Sequence, residues 1–578
     1  MQIANRFTRA WLALAVPLLA VACSKGETTI PDAEILGYVP ADTPYVFAAL
    51  ETAPDEVADK MGENATRIVK AYATVLKAAL NEPPAEGQEP VLQPEERKRV
   101  SAILEELAAM VTPEGVPEAG IDRHSQMALY GVGLLPVLRV TLSDAAKFEA
   151  FLKRMEERAG KAMSVGSIDG HAYRYAGGES AKVILAVLED QLVATFVPAA
   201  LPEDLMKRVL GLTLPESSIA DTDELAALAK KYGFTAYGLG LVDVQRIAAT
   251  FLDQQSGVNE SLLALMEHDR SELSDVCRDE IRAVAGLVPR VVTGYTEMTA
   301  EQIRSNSVFE LRSDIAAGLQ TITAPVPGLG QPHDALFSFG MSFDLPALRD
   351  FYAARLDAME ADPFECELFA DLQDGVAKSR QALQQPVPPF VNDFHGFLAV
   401  IDDIQGLDIA TRQPPTDIDM RFLISAANAP SLLAMGAMFS PQLASLDVKP
   451  DATPVRIELP PNGSPITSAW IAMSNDGIAL AVGDGMETGL ADMLSAASTE
   501  PSPFVSMDVD AARYYGFLGD VLESSQVGDD GERRASPETA AATGNLMRSL
   551  ESMFDRITVD VQFTPQGIEM PSTMVLAK

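Results

Sequence analysis

The sequence predicts an α+β protein made of two tandem related units, each an antiparallel sheet with helices packed on one face. Three observations point there. Hairpins and amphipathic helices alternate along the chain. The same five segments occur twice in the same order. The β-α-β alternation of a doubly wound nucleotide-binding fold is missing.

The hairpins come first. Val183–Phe196 reads as two strands about a turn at Glu189-Asp190-Gln191, and Trp470–Val482 as two strands about Asn475-Asp476-Gly477, a strong tight-turn signal. A helical pattern follows each, at Glu203–Leu210 and Glu487–Ala496. In Ala145–Ala159 the residues Phe148, Phe151, Leu152 and Met155 fall at helical spacing, and Ser143-Asp144 supplies side-chain oxygens to cap the start. Before it, Tyr130, Val132, Leu134 and Leu142 alternate with polar neighbours at Arg139 and Thr141, the pattern of strands with one wet face. Further helices are expected over Glu95–Val111 and Glu260–Leu287.

The matched segments are collinear. Ala41–Leu50 and His333–Met341 each give a strand followed by a helix, Ala53–Leu80 and Leu345–Met359. Asp122-Arg123-His124 and Asp393-Phe394-His395 each precede a strand. The two hairpins match. Val242-Asp243-Val244-Gln245-Arg246 and Val509-Asp510-Ala511-Ala512-Arg513 each lead into a helix. Arg290–Tyr295 and Arg556–Val561 each open a late strand pair, the second turning at Pro565-Gln566-Gly567. The first unit is therefore placed at residues 35–324 and the second at 333–578. The segment 325–332, Pro-Val-Pro-Gly-Leu-Gly-Gln-Pro, is the expected linker. Asn81–Gln93 and Ser524–Pro537 read as further linker or loop.

The chain has 578 residues and a net charge of −38, with 82 acidic against 44 basic side chains. Length suggests two to four domains at about 100–200 residues each. A hydrophobic content of 47% against 22% charged excludes a disordered chain. A surface this acidic repels phosphate backbones and anionic head groups, so nucleic acid is not an expected partner.

Arg6 and Arg9 precede a wholly uncharged run from Trp11 to Ala22, the n-region and h-region of a secretory signal. The run falls short of the about 20 residues a membrane span needs. Its end, Leu18-Leu19-Ala20-Val21-Ala22-Cys23, resembles the lipobox of bacterial lipoproteins, with Ala20 where that family prefers Leu. Ala20 and Ala22 also fit an ordinary A-x-A cleavage site; the cysteine just after them favours the lipoprotein reading. The resemblance implies a signal peptide over residues 1–22, a diacylglycerol on the Cys23 thiol, and a lipidated tether over residues 23–34. By the same resemblance, Ser24 after the cysteine implies the periplasmic face of the outer membrane rather than inner-membrane retention. Several acyl chains on Cys23 would anchor the protein firmly, at about 0.8 kcal/mol per buried CH₂.

Cys277 and Cys366 remain, an even pair in an oxidising compartment, and are expected to form a disulfide. Their acidic surroundings would raise a thiol pKa, which argues against a catalytic thiol.

Chemistry is sparse. None of His124, His171, His268, His333 or His395 stands in a metal-ligand spacing, and no C-x-x-C occurs. Gly131-Val132-Gly133-Leu134-Leu135-Pro136 fails the dinucleotide fingerprint, and Gly178-Glu179-Ser180-Ala181-Lys182 lacks the last glycine of a nucleophile elbow. No catalytic residue, metal ligand or cofactor is predicted. The repeated Asp-x-His of Asp122/His124 and Asp393/His395 could orient an imidazole, but reads as a turn because no nucleophile or oxyanion donor can be placed beside it. Arg246 and Arg513 read as local ion pairs at helix starts. The Met-rich stretch Leu432–Leu443 reads as a core helix before a ligand groove.

Ile35-Leu36-Gly37-Tyr38-Val39-Pro40-Ala41-Asp42-Thr43-Pro44, followed by a hydrophobic strand, resembles the opening of a class of uncharacterised, duplicated bacterial envelope proteins. That likeness implies envelope location and no particular chemistry. The expected function is that of a membrane-anchored lipoprotein with a non-enzymatic binding or envelope-assembly role. Its expected partners are the membrane, through Cys23, and an envelope protein. The alternatives are a periplasmic hydrolase with a dispersed site around His124 or His395, and a carrier of lipid or another hydrophobic ligand.

Overall fold

The computed structural model describes residues 30–31, 33–52, 54–81, 93–407, 415–458, 468–524 and 536–577. The expected signal peptide, Cys23 and most of the tether lie outside them, as do residues 82–92 and 525–535 of the two expected loops.

Among the described residues nineteen strands form one antiparallel sheet. The first ten are β1 (Tyr45–Ala49), β2 (Met127–Val132), β3 (Leu135–Thr141), β4 (Ser164–Ile168), β5 (His171–Gly177), β6 (Ala181–Leu188), β7 (Gln191–Pro198), β8 (Leu239–Asp243), β9 (Arg290–Met298) and β10 (Gln302–Glu310). The other nine are β11 (Phe337–Ser342), β12 (Phe394–Gln405), β13 (Asp417–Ala426), β14 (Val455–Glu458), β15 (Ser468–Met473), β16 (Gly477–Val482), β17 (Val505–Asp510), β18 (Phe554–Thr564) and β19 (Gly567–Leu576). A seam joins β10 to β19, in register from Gln302–Val575 to Glu310–Gly567. Outward from it on one side run β10-β9-β8-β1-β2-β3-β7-β6-β5. On the other run β19-β18-β17-β11-β12-β13-β16-β15-β14. The two orders are the same, and β4 adds one further strand beside β5. The matched Asp and Arg motifs fall at matching places. Asp243 lies opposite Arg290, and Asp510 opposite Arg556. Each aspartate caps a helix, accepting from the Arg246 and Arg513 backbone N–H at 2.8 and 3.0 Å.

Local chemistry explains the elements that position these strands. The helix Ala145–Ala159 starts where Asp144 accepts from the Lys147 N–H and stops at Gly160, whose φ of 64° suits glycine. The β15–β16 turn sits at Asn475-Asp476 as expected, with Met473 opposite Ile478. The long helix expected over Glu260–Leu287 is broken: Glu267 takes a φ of 55° and Asp269 caps a new turn, leaving separate helices Gly257–Leu265 and Asp275–Ala285.

The α+β class is as the sequence predicts, but helices cover both faces rather than one. Strand β7 shows why, because it is buried on both sides. Val193 and Val197 join a core with Val46, Tyr130, Leu241 and Val292, roofed by Ile35, by Leu205 and Val209 of the helix Glu203–Leu210, and by Leu228 of the helix Glu224–Tyr232. Leu192 points the other way, into Phe148, Phe151 and Leu152. The first of these faces carries a second core beyond the seam: Leu398, Val400, Leu423 and Ala479 under Val326, Leu329 and the helix Leu490–Ser495. The expected linker 325–332 is thus packed, with Val326 and Leu329 fully buried.

Arg139 also departs from expectation. It lies on the core side of β3 with Leu135 and Val137, 1% exposed, rather than on a wet face. Residues far along the chain make that tolerable: it donates to Gln191 Oε1 at 2.6 Å and to the Leu210 carbonyl at 2.8 Å, and it stacks 3.8 Å over the Tyr38 ring.

Candidate functional site

The residues singled out from sequence lie in separate local contacts. Cys277 and Cys366 form a disulfide with their Cα atoms 4.7 Å apart. It fixes the helix Asp275–Ala285 to the loop at 366, where Glu280 also accepts from the Glu365 and Cys366 N–H groups. Asp122 Oδ1 accepts from the His124 backbone N–H at 2.8 Å, a local turn, while the His124 ring sits 3.2 Å from Thr52 Oγ1. Asp393 and His395 use their carbonyls to pair with Ala427 and Phe343 at the start of β12. Arg246 bridges Glu224 and Asp243 and donates to the Thr43 carbonyl. Arg513 donates to the Asp402 carbonyl at 2.6 Å. Among the described residues no group of three or more His, Cys, Asp or Glu is placed to hold a metal ion.

Two polar clusters were not foreseen. At the end of β10, Glu310 accepts from Arg290 at 2.6 Å, Lys231 at 2.7 Å and Tyr232 at 2.5 Å. Burial pushes its carboxyl pKa up, yet the three donors outweigh burial and bring it to about 2. On the same face of β17, Asp508 is 4% exposed; its Oδ2 accepts from the His333 N–H at 2.8 Å and from Arg556 at 2.7 Å. Burial lowers the His333 pKa, and burial together with Asp508 raises that of Asp560. Both clusters join residues well separated in sequence, and no local motif announces them.

The feature with clearest binding character is an apolar face. Along β11 the buried positions are the small residues Ser338, Gly340 and Ser342, whereas Phe337, Phe339 and Met341 are half-buried. A strand packed for stability alone would put the large residues inside. Its neighbours continue the surface with half-buried Phe397 and Ile401 on β12, Met420 and Phe422 on β13 and Met507 on β17. The rings form a row: Phe339 to Phe397 is 5.9 Å and Phe397 to Phe422 is 5.8 Å between centroids. Tyr514, on the helix Ala511–Ser524, stacks on Phe337 at 6.1 Å and bounds one side. Beyond Phe422, residues 422–446 contain no charged side chain. The helix Ala429–Phe439 covers the same sheet face further out, through Leu432 and Leu433 against Ile471, Met473 and Ile478. The core helix expected at Leu432–Leu443 is therefore only partly that, since Met438 and Phe439 are among its most exposed side chains. The signal for this face was present in the sequence as the alternation Phe-Ser-Phe-Gly-Met-Ser.

Aromatic rings and methionines at this density offer a surface that adapts to flexible apolar chains. They offer no nucleophile, base or oxyanion donor. Comparison with protein-family models, with curated proteins and with solved structures finds no match to this chain.

Proposed function

We propose that the protein is a lipid-anchored lipoprotein of the cell envelope that acts by binding, and that its ligand is an apolar chain such as a lipid acyl chain laid across β11, β12 and β13. The inverted burial of β11 carries this reading: Phe337, Phe339 and Met341 are left half-buried while serine and glycine take the core positions. An apolar ligand would complete their burial, at about 0.8 kcal/mol per CH₂ covered. The anchor on Cys23 and a place on the periplasmic face of the outer membrane supply a lipid source. The choice of a carrier over a general assembly role rests on the chemistry of the face, which is uncharged and aromatic. A hydrolase centred on His124 gains nothing from the geometry, because the Asp122 carboxylate is engaged by backbone.

The test is native mass spectrometry of the protein purified from membranes, together with titration by a fluorescent fatty acid. Co-purified lipid and saturable binding are expected, with Phe397→Asp weakening binding at least tenfold at an unchanged fold. Absence of lipid, or equal binding by the variant, refutes the reading. The mass of the mature N-terminus tests the anchor separately: an acylated Cys23 is required.

A further inference from the structure

We propose that the corner formed by Met438 and Phe439 is a membrane-docking tip that inserts into the interfacial layer of a bilayer. Such a tip extends the binding reading by giving the apolar face a lipid surface to draw on. It depends neither on acylation of Cys23 nor on occupancy of that face.

Phe439 is 84% exposed and Met438 78%, adjacent in sequence and more exposed than any other large apolar side chain among the described residues. They end the helix Ala429–Phe439. Ser440 then caps a second short helix, Pro441–Ala444, by accepting from the Leu443 N–H, so the chain turns a corner just after the two side chains. Behind the corner, Leu432, Leu433, Leu443 and Leu446 pack with Ile471, Met473 and Ile478. The apolar inner side of this element is thus satisfied, and the outer pair is left over on a support already ordered. Docking therefore orders only these two side chains and not the backbone that carries them.

Charge and area select the occupant. The chain carries a net charge of −38 and 22% charged residues, yet residues 422–446 contain none. A protein partner held by charge complementarity would find no charged side chain to pair with on this element. Two large side chains cover only about 150–250 Å² each, far below the roughly 800 Å² per partner of a stable protein interface or dimer. A bilayer interface imposes no shape to match, and an uncharged Phe–Met pair binds it in proportion to the apolar area inserted. No helix among the described residues is long and apolar enough to cross a membrane, so the contact is superficial.

The experiment uses the Phe439→Trp variant of the full-length protein purified from membranes. After detergent removal with phosphatidylcholine vesicles, emission is compared with that of the parent protein, so that Trp470 is subtracted. Vesicles of brominated phosphatidylcholine then report depth by quenching. Val165→Trp, on the edge strand β4 at the other end of the sheet and 68% exposed in the parent, is the control. The expected result is a blue shift and quenching of the added indole in the Phe439→Trp protein, with no change in the Val165→Trp protein. Emission of the Phe439→Trp protein unaltered by vesicles overturns the proposal. A blue shift that rises with protein concentration in the absence of lipid also overturns it, because a second copy then covers the tip. If the Phe439→Trp indole is quenched while fatty-acid binding is absent, the tip stands and the carrier reading falls; the reverse outcome removes the tip alone.

Discussion

Replacing Glu310 by glutamine tests the electrostatics of the β10 end. The carboxylate is 6% exposed and accepts from Arg290, Lys231 and Tyr232. Burial alone would raise its pKa; the donors bring it from 4.5 down to about 2. At 1.36 kcal/mol per unit this difference corresponds to about 3 kcal/mol. Lys231 and Arg290 are 43% and 30% exposed and their charges are partly screened, so about 2 kcal/mol is the better expectation. Because the folded pKa is depressed, the contribution is fully present above the unfolded value of 4.5 and is lost as pH falls towards 2. Urea unfolding followed by circular dichroism should therefore show Glu310→Gln less stable than the parent by about 2 kcal/mol at neutral pH. The gap should shrink steadily once pH drops below about 4.5. A gap that is absent at neutral pH, or that stays constant down to about pH 3, refutes the argument that this carboxylate is held ionised by its three donors.

Two further perturbations have sizes that follow from the structure. The Cys277–Cys366 bond closes a loop with a sequence separation of 89, so the chain-entropy model assigns it about 4–5 kcal/mol. The Cys277→Ser/Cys366→Ser protein should unfold at a clearly lower urea concentration than the oxidised parent, and the same midpoint for both counts against a structural disulfide. Arg139→Ala removes both donors to Gln191 and the Leu210 carbonyl and leaves a cavity under Tyr38, which should cost about 3–5 kcal/mol in the same assay; a loss below about 1 kcal/mol would mean that water replaces the guanidinium freely.

What the sequence made legible was local. The Asp144 cap, the Asn475-Asp476-Gly477 turn and the helical spacing of Phe148, Phe151 and Leu152 are decided by neighbours within a few residues, and all three stand where expected. The cysteine pair could be read because assigning Cys23 to the expected lipid leaves two thiols to pair. Arg139 could not be placed, because its side-chain pattern is that of a wet strand face and its partners come from residues 38, 191 and 210. Asp508 finds His333 at a separation of 175 residues, through the β11–β17 pairing that no local preference dictates. The break at Glu267 was missed because periodicity continues across it while the backbone does not. The candidate face was written in β11, but alternation alone does not say which side is the core. Reading Phe337, Phe339 and Met341 as the buried side is the natural choice, and packing at Val326 and Leu329 reverses it.

A half-buried aromatic face raises a question of solubility, and the acidity of the chain answers it. Exposed apolar patches on a soluble protein invite self-association, as do the free edges of a long sheet. Here the sheet has only two edge strands among the described residues, β4 and β14, and β14 presents Arg456 and Glu458 outward. The remaining safeguard is repulsion between copies that each carry a net charge of −38. Repulsion of that kind is screened as the Debye length falls from about 10 Å at 0.1 M salt to about 3 Å at 1 M, whereas apolar attraction is not. Sedimentation velocity in the absence of lipid, on a parent form that begins at Ser24 and so carries no acyl chain, should therefore show a single slow species at low salt and associated species at about 1 M sodium chloride. Phe397→Asp should remain dispersed under both conditions, and adding a saturating fatty acid should disperse the parent. If the parent stays dispersed at high salt, the Phe339–Phe397–Phe422 row is too well covered to act as a docking surface for an apolar chain. If the Phe397→Asp variant associates as strongly as the parent, a different surface drives the contact, and the acidity of the chain protects something other than this face.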